Sequence, residues 1–213
     1  EQAGAALEAV RARDPGAVPY SVLALHFRQA HRWPKAIDYL ERAAEQALRS
    51  FSNHEARAYL EDAIAAAGRM QGGLPSLRLG RLEARLVEAY WEMGEHRESR
   101  SHGERALAHL GRRIPSSLPG FAFGLLGQIL IRSFCAFFPS LFRRRTPDAR
   151  EHGREAANVL NRLTDALLWD NDAIGAVYCG MRTINLAETL YEPSGAPDAA
   201  RNLARGYALL SVI

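Results

Sequence analysis

Residues 86–107 read LVEAYWEMGEHRESRSHGERAL, and two short helical patterns meet in this stretch at Met93-Gly94. Leu86, Val87 and Tyr90 recur at helical spacing in the first half. Ser99, Gly103 and Ala106 put small side chains on one face of the second half, where another helix can come close. Gly94 is the break between them, so the stretch reads as a helical hairpin. The same order of residue types stands earlier in the chain at Leu23, Ala24 and Phe27, then Ala36, Leu40 and Ala43. A third copy reads Leu163, Thr164 and Leu167, then Ala176, Gly180 and Thr183, with Asp170-Asn171-Asp172 as its turn. One hairpin repeated predicts an all-α stack of such units, an α-solenoid.

The positions carrying this pattern resemble the tetratricopeptide repeat, in which a Leu-small pair is followed by an aromatic, then by a small residue, a large apolar one and an alanine. Tyr20, Leu23, Ala24, Phe27, Ala36, Leu40 and Ala43 match it. In the central copy Leu86, Tyr90 and Ala106 match, whereas Glu83 stands where the pattern prefers Trp and Gly103 where it prefers a large apolar residue. Neither copy has the terminal proline, because Leu48 and Gly111 occupy that place. The resemblance implies a helical-hairpin superhelix whose packing residues are those named, with Gly94, Ser99, Leu163, Leu167, Ala176 and Gly180.

A chain of 213 residues with 47% hydrophobic and 24% charged residues has the composition of an ordered globular protein. Lys35 is the single lysine among 27 basic residues, which reads as a genomic bias toward arginine and not as a functional signal. The formal charge of +3 is small, and acids and bases alternate along most helices. A nucleic-acid binder gathers its basic residues on one face, so no nucleic-acid partner is expected. Cys135 and Cys179 sit in apolar surroundings without CxxC or Cys/His spacing, and are expected to be buried free thiols. With no secretory signal pattern at the start, the expected location is the cytoplasm.

Along the chain, Ala6, Leu7 and Val10 give a first helix that stops at Asp14-Pro15-Gly16. A second runs from near Val18 to about His31. Trp33-Pro34 opens a third that carries Ala36, Ile37, Leu40, Ala43, Ala44 and Ala47 on one face. Ser52 or Asn53 is expected to cap a fourth helix with the stripe Ala56, Tyr59, Leu60, Ala63 and Ile64, closed by Gly68 and Gly72-Gly73. That helix has no partner in register, which makes the repeat period irregular. The organisation expected is one helical-repeat region over 1–213, with helices in 1–70, the central hairpin in 76–111, a long apolar helix in 117–143 and C-terminal repeats in 147–213. The pattern restarts at Leu203, Ala204 and Tyr207 and the sequence ends at Ile213, so the last repeat is expected to be incomplete and the region to be truncated at both ends.

The most hydrophobic stretch runs from Leu118 to Phe142, with Gly120, Gly124 and Gly127 followed by Ile129, Leu130, Ile131, Phe134, Phe137 and Phe138. A membrane-spanning helix needs about 20 apolar residues. Gln128 and Arg132 lie in mid-segment and Pro119 and Pro139 bracket it, which argues against a span. The expectation is a helix buried in the superhelix, its glycines permitting close approach, with Arg143, Arg144 and Arg145 as a solvated terminus.

The seven histidines form no HExxH pair, and no GxxxxGK[ST] phosphate loop is present. Glu41 with Glu45 falls on a helix face, and Asp170 with Asp172 in a turn. No catalytic residue, metal site or cofactor is expected in this sequence.

Two longer stretches, LALHFRQAHRWPKAIDYLERAAEQAL at 23–48 and DNDAIGAVYCGMRTINLAETL at 170–190 followed by LARGYALLSV, resemble a family of bacterial signalling proteins. In these, a class III adenylyl or guanylyl cyclase domain, or a protein kinase domain, precedes a STAND-like ATPase of the AAA type and a long tetratricopeptide region. The resemblance implies that 1–70 lies next to the ATPase and that the region is its regulatory arm, a non-catalytic scaffold whose partner is another protein or the ATPase domain itself. The alternative is a sensor holding a small effector inside the superhelix near 118–142. In such arrays the first helix of each pair lines the concave face, so Arg28, Arg81, Glu88 and Trp91 are the expected partner contacts. Trp91, an aromatic beside the packing stripe, is the strongest of them.

Overall fold

The computed structural model describes residues 2–137, 146–190, Ala204 and Tyr207. Leu203, Arg143, Arg144, Arg145, Phe138 and the C-terminal residues 208–213, all named above, lie outside the described residues, as does the side chain of Cys135. Among the described residues every regular element is an α-helix. The helices are α1 (Gln2–Arg13), α2 (Tyr20–Gln29), α3 (Trp33–Arg49), α4 (Asn53–Gly68), α5 (Ser76–Glu92), α6 (His96–His109), α7 (Leu118–Phe137), α8 (Pro147–Trp169) and α9 (Ala173–Leu190). They fall into two compact units, the first ending at Glu95 and the second beginning at His96. The two helices of the central hairpin, α5 and α6, thus belong to different units.

In the first unit each helix packs on the next, α1 on α2 and so on to α5. The cause is visible in α3, where Ala36, Ile37, Leu40, Ala43, Ala44 and Ala47 are buried and the side between them is polar. Ile37, Leu40 and Ala44 share a core with Leu60, Ala63, Leu82, Leu86 and Tyr90 from α4 and α5. A smaller core of Val18, Leu23, Phe27 and Ala36 is closed by α1, where Gly4 lies so close to the Phe27 ring that an added Cβ would stand 3.1 Å from it.

The turns share one hydrogen-bond scheme. After α2, α3, α5, α6 and α8 the chain closes with a bond from a residue's N–H to the carbonyl five residues back. These bonds are Arg32 to Phe27 (2.9 Å), Ser52 to Ala47 (2.9 Å), Glu95 to Tyr90 (2.9 Å), Arg112 to Leu107 (2.7 Å) and Asp172 to Leu167 (2.8 Å). Such a closure needs one residue in the left-handed region just before the donor. Gly94 (φ 77) and Gly111 (φ 71) supply it without strain, whereas His31 (φ 54), Phe51 (φ 57) and Asn171 (φ 58) do so with a side chain. The expected cap from Ser52 is not made: its side chain bonds no amide of α4, because its backbone is held by the turn closure.

In the second unit the packing order departs from the sequence order. α6 packs on α8, α8 on α9, and α9 on α7, so α7 lies beyond α9 and not between its neighbours in the chain. α8 and α9 form the third hairpin, with Leu163, Thr164, Leu167, Ala176, Cys179 and Thr183 buried. α7 meets α9 through Phe121, whose ring stands edge-on to Tyr178 with centroids 5.5 Å apart, and through Gln128, whose carbonyl and side chain accept from Asn185 Nδ2 at 2.9 and 3.0 Å. Arg132 completes the row with an ion pair to Glu188 at 3.1 Å. These contacts advance in the same direction along both helices, which therefore run parallel. The expectation that this segment is a buried helix is corrected. Its Phe121, Gly124, Gln128 and Arg132 side meets α9, while Phe123 and Phe134 on the other side are 76% and 55% exposed.

Candidate protein-interaction surface

In the first unit alternate helices form two rows, and ion pairs tie each row together. Arg28 of α2 pairs with Asp62 of α4. Arg78 of α5 pairs with Asp38 and, through Nε at 2.8 Å, with Glu41, both on α3. The rows are therefore α2 with α4 and α3 with α5. The repeat pattern puts α2 and α5 on one face as the first helices of their hairpins. The unpaired α4 shifts the alternation by one helix, so Arg28 stands in the other row from Arg81, Glu88 and Trp91.

Along α5, Arg78, Arg81, Arg85 and Glu88 follow one another at three- and four-residue steps and share a face. The opposite side holds Leu86, Val87 and Tyr90 in the core, with Leu82 and Ala89 buried between the two sides. Between this face and α3 lies an open cleft of about 250 Å³ lined by Glu41, Pro75, Leu77, Arg78, Arg81, Leu82 and Arg85. Its floor is apolar and its rim carries three guanidinium groups. Arg78 is fixed there: the hydrogen bond it donates to Glu41, with that to Asp38, raises its pKa further against the opposing effect of burial. A second, smaller hollow of about 180 Å³ where α2, α3 and α4 meet is lined by Tyr20, Gln46, Ser50, Glu55 and Tyr59 among others and carries a single charged side chain.

Of the residues singled out from the sequence, Arg81 lines the cleft and Glu88 is exposed further along the same face, while Trp91 is half-buried at the edge of that face. Arg78 and Arg85 were not singled out. Their signal was the arginine spacing on one helix, which composition bias toward arginine masked. Leu23, Ala24, Phe27, Ala36, Leu40, Ala43, Leu86, Tyr90, Ser99, Ala106, Leu163, Leu167 and Ala176 are all buried, as is Gly180. Tyr20 is half-buried, stacked on Tyr39 with ring centroids 6.2 Å apart and covered by the Arg11 guanidinium 3.6 Å from its centroid. Ala204 and Tyr207 are exposed, the Tyr207 hydroxyl donating to Glu188 at 2.6 Å.

The Tyr90 hydroxyl donates to Glu61 at 2.6 Å, and Arg57 lies over its ring, 5.9 Å from the centroid. Burial and the Glu61 carboxylate together push the Tyr90 phenol up to about 12. Burial does the same to the Cys179 thiol, also to about 12, which makes it a packing residue and a poor nucleophile. Among the described residues no cluster of His, Cys, Asp and Glu is arranged to hold a metal ion, and no helix is long and apolar enough to cross a membrane. No model of a known protein family matches this chain, and no curated protein matches it either.

Proposed function

We propose that the chain is a non-catalytic protein-interaction and regulatory scaffold, built from tetratricopeptide-like hairpins, that serves as the cytoplasmic sensory arm of a multidomain signalling ATPase or nucleotide cyclase. The cleft between α3 and α5 carries the reading. An apolar floor of Leu77 and Leu82 beneath Arg78, Arg81 and Arg85 suits an amphipathic segment with acidic side chains, presented by a partner protein or by the ATPase domain of the same polypeptide. The fixed Arg78 orients the rim, and Arg81 and Arg85 follow at helical spacing. No cofactor and no nucleic acid enters this function. The sensor alternative placed its effector beside the apolar helix, and no observation at α7 favours it. The α5 cleft, at about 250 Å³ and open, is smaller than the ~300–1,000 Å³ of enclosed small-molecule sites.

The test begins with the coding sequence on either side, read for a GxxxxGK[ST] loop upstream and further hairpins downstream. The encoded ATPase domain is then titrated against this chain. Binding is expected to weaken roughly tenfold or more in the double variant Arg81→Glu with Arg85→Glu, and to be unchanged in Arg49→Glu, which lies outside the cleft. Equal binding by all three proteins, or turnover of a nucleotide by this chain alone, overturns the proposal.

A further inference from the structure

Among the described helices α7 stands at the end of the packing order of the second unit, with Tyr207 bonded at its Arg132 end, and its side away from α9 is apolar. Phe123, Leu126, Leu130 and Phe134 form a stripe along it, 76%, 57%, 59% and 55% exposed, flanked by Ile129 and Ile131. No charged side chain interrupts the stripe, because Arg132 is paired with Glu188 on α9, and the polar Gln128 is engaged with α9 as well. The stripe reads Phe-Leu-Leu-Phe in either direction. Beside its midpoint, which falls level with residue 128, stands Gly127, where an added Cβ would meet nothing within 4 Å.

We propose that this face pairs with the same face of a second copy of the chain, the two α7 helices running antiparallel about a two-fold axis level with residue 128. A two-fold contact requires that residue i of one copy meet residue j of the other and j meet i. The palindromic order satisfies this: Phe123 meets Phe134 at both ends, and Leu126 meets Leu130 on both sides of the axis. Gly127, next to the axis, leaves room for the helices to approach, and a face without charge meets its own copy without repulsion. A face complementary to a different protein has no need of this symmetry.

The area agrees. An aromatic side chain presents about 150–250 Å², so the six exposed side chains offer roughly 500–600 Å² per copy. Two copies then bury at most about 1,000–1,200 Å², the size of a weak, transient contact. A single exposed apolar patch of that size is at the upper end of what a monomer carries. The dimer is therefore expected to be reversible over micromolar concentrations.

Sedimentation equilibrium of the full chain tests this. The mass is expected to rise from monomer to dimer with concentration, and to remain that of the monomer in the double variant Leu126→Glu with Leu130→Glu, its helical circular dichroism unchanged. The variant Phe51→Glu, which removes an exposed apolar side chain elsewhere, is expected to leave the dimer intact. Because the charged pair brings like charges face to face, mixing the glutamate variant with Leu126→Lys plus Leu130→Lys is expected to restore association as a one-to-one pair, which excludes misfolding as the cause of the loss. A monomer at every concentration, a dimer indifferent to both double variants, or no rescue on mixing overturns the proposal. So does a monomer that instead partitions onto phosphatidylcholine vesicles through the same leucines.

Discussion

Gly124 of α7 lies against the ring of Tyr178 on α9 so closely that a Cβ added there would sit 2.7 Å from Cε2. Contact at that distance leaves no room for a side chain, and Phe121 holds the same ring edge-on from the preceding turn of α7. Gly124→Leu is therefore expected to lever α7 off α9. Overpacking of this kind costs roughly 1–3 kcal/mol, and it frees Asn185 and Glu188 from their partners as well. A lowered thermal midpoint with increased binding of an apolar dye checks this, and an unchanged midpoint would show that α7 is not held through this contact.

The turn between α3 and α4 is closed by Phe51, which adopts φ 57 and is 83% exposed. A side chain in the left-handed region costs about 1–2 kcal/mol relative to glycine, and the Phe51 ring gains little packing in return. Phe51→Gly is expected to raise stability by about 1 kcal/mol. Gly94→Ala, at φ 77 in the equivalent place after α5, is expected to lower it by about as much. Urea unfolding midpoints of the two variants measure both signs, and a drop for Phe51→Gly would refute the shared turn scheme.

Removing the hydroxyl in Tyr90→Phe leaves Glu61 without its donor and keeps the ring under Arg57. The expected loss is about 1 kcal/mol. The Glu61→Gln variant keeps an acceptor for the phenol but removes the charge that helps raise its pKa. Its phenol is therefore expected to titrate below that of the parent protein in an ultraviolet pH titration.

Alkaline pH is expected to destabilise the fold from about pH 9 upward. Tyr39 and Tyr90 rise from 10.0 to about 12 on folding, each through burial first and then its carboxylate neighbour, and Cys179 rises from 9.0 to about 12 through burial. In each case the unfolded chain ionises first. The stability these groups contribute is thus complete below pH 9 and is lost as pH climbs through 12. Unfolding free energy measured from pH 8 to 11 is expected to fall, and to fall less in Cys179→Ala. In a Cys135→Ser background, Cys179 is expected to resist a thiol reagent until the protein unfolds.

The hairpins were legible in the sequence because each depends on neighbours three and four residues apart. Leu23, Phe27, Leu163 and Leu167 lie on apolar faces whatever surrounds them, and all four are buried. The arginine cleft was less legible. Arg81 stood out by its position in the repeat, but Arg78 is fixed only because α3 brings Asp38 and Glu41 alongside, across some forty residues of chain, and Arg85 lines the same cleft. The odd helix α4 had been recognised as lacking a partner in register, and its consequence for the rows needed the packing order.

What the sequence by itself determined is the all-α character, the place of each helix and the side that each amphipathic helix buries, since periodicity and turn residues are local properties. Which helix meets which was decided by tertiary structure alone. α7 shows the reason: its two polar side chains, Gln128 and Arg132, face α9 while Phe123 and Phe134 are exposed, the reverse of what an amphipathic pattern signals. Its partner was fixed by the fit of Gly124 to Tyr178 and by the pairing of Gln128 with Asn185 and Arg132 with Glu188, contacts between residues far apart in the chain.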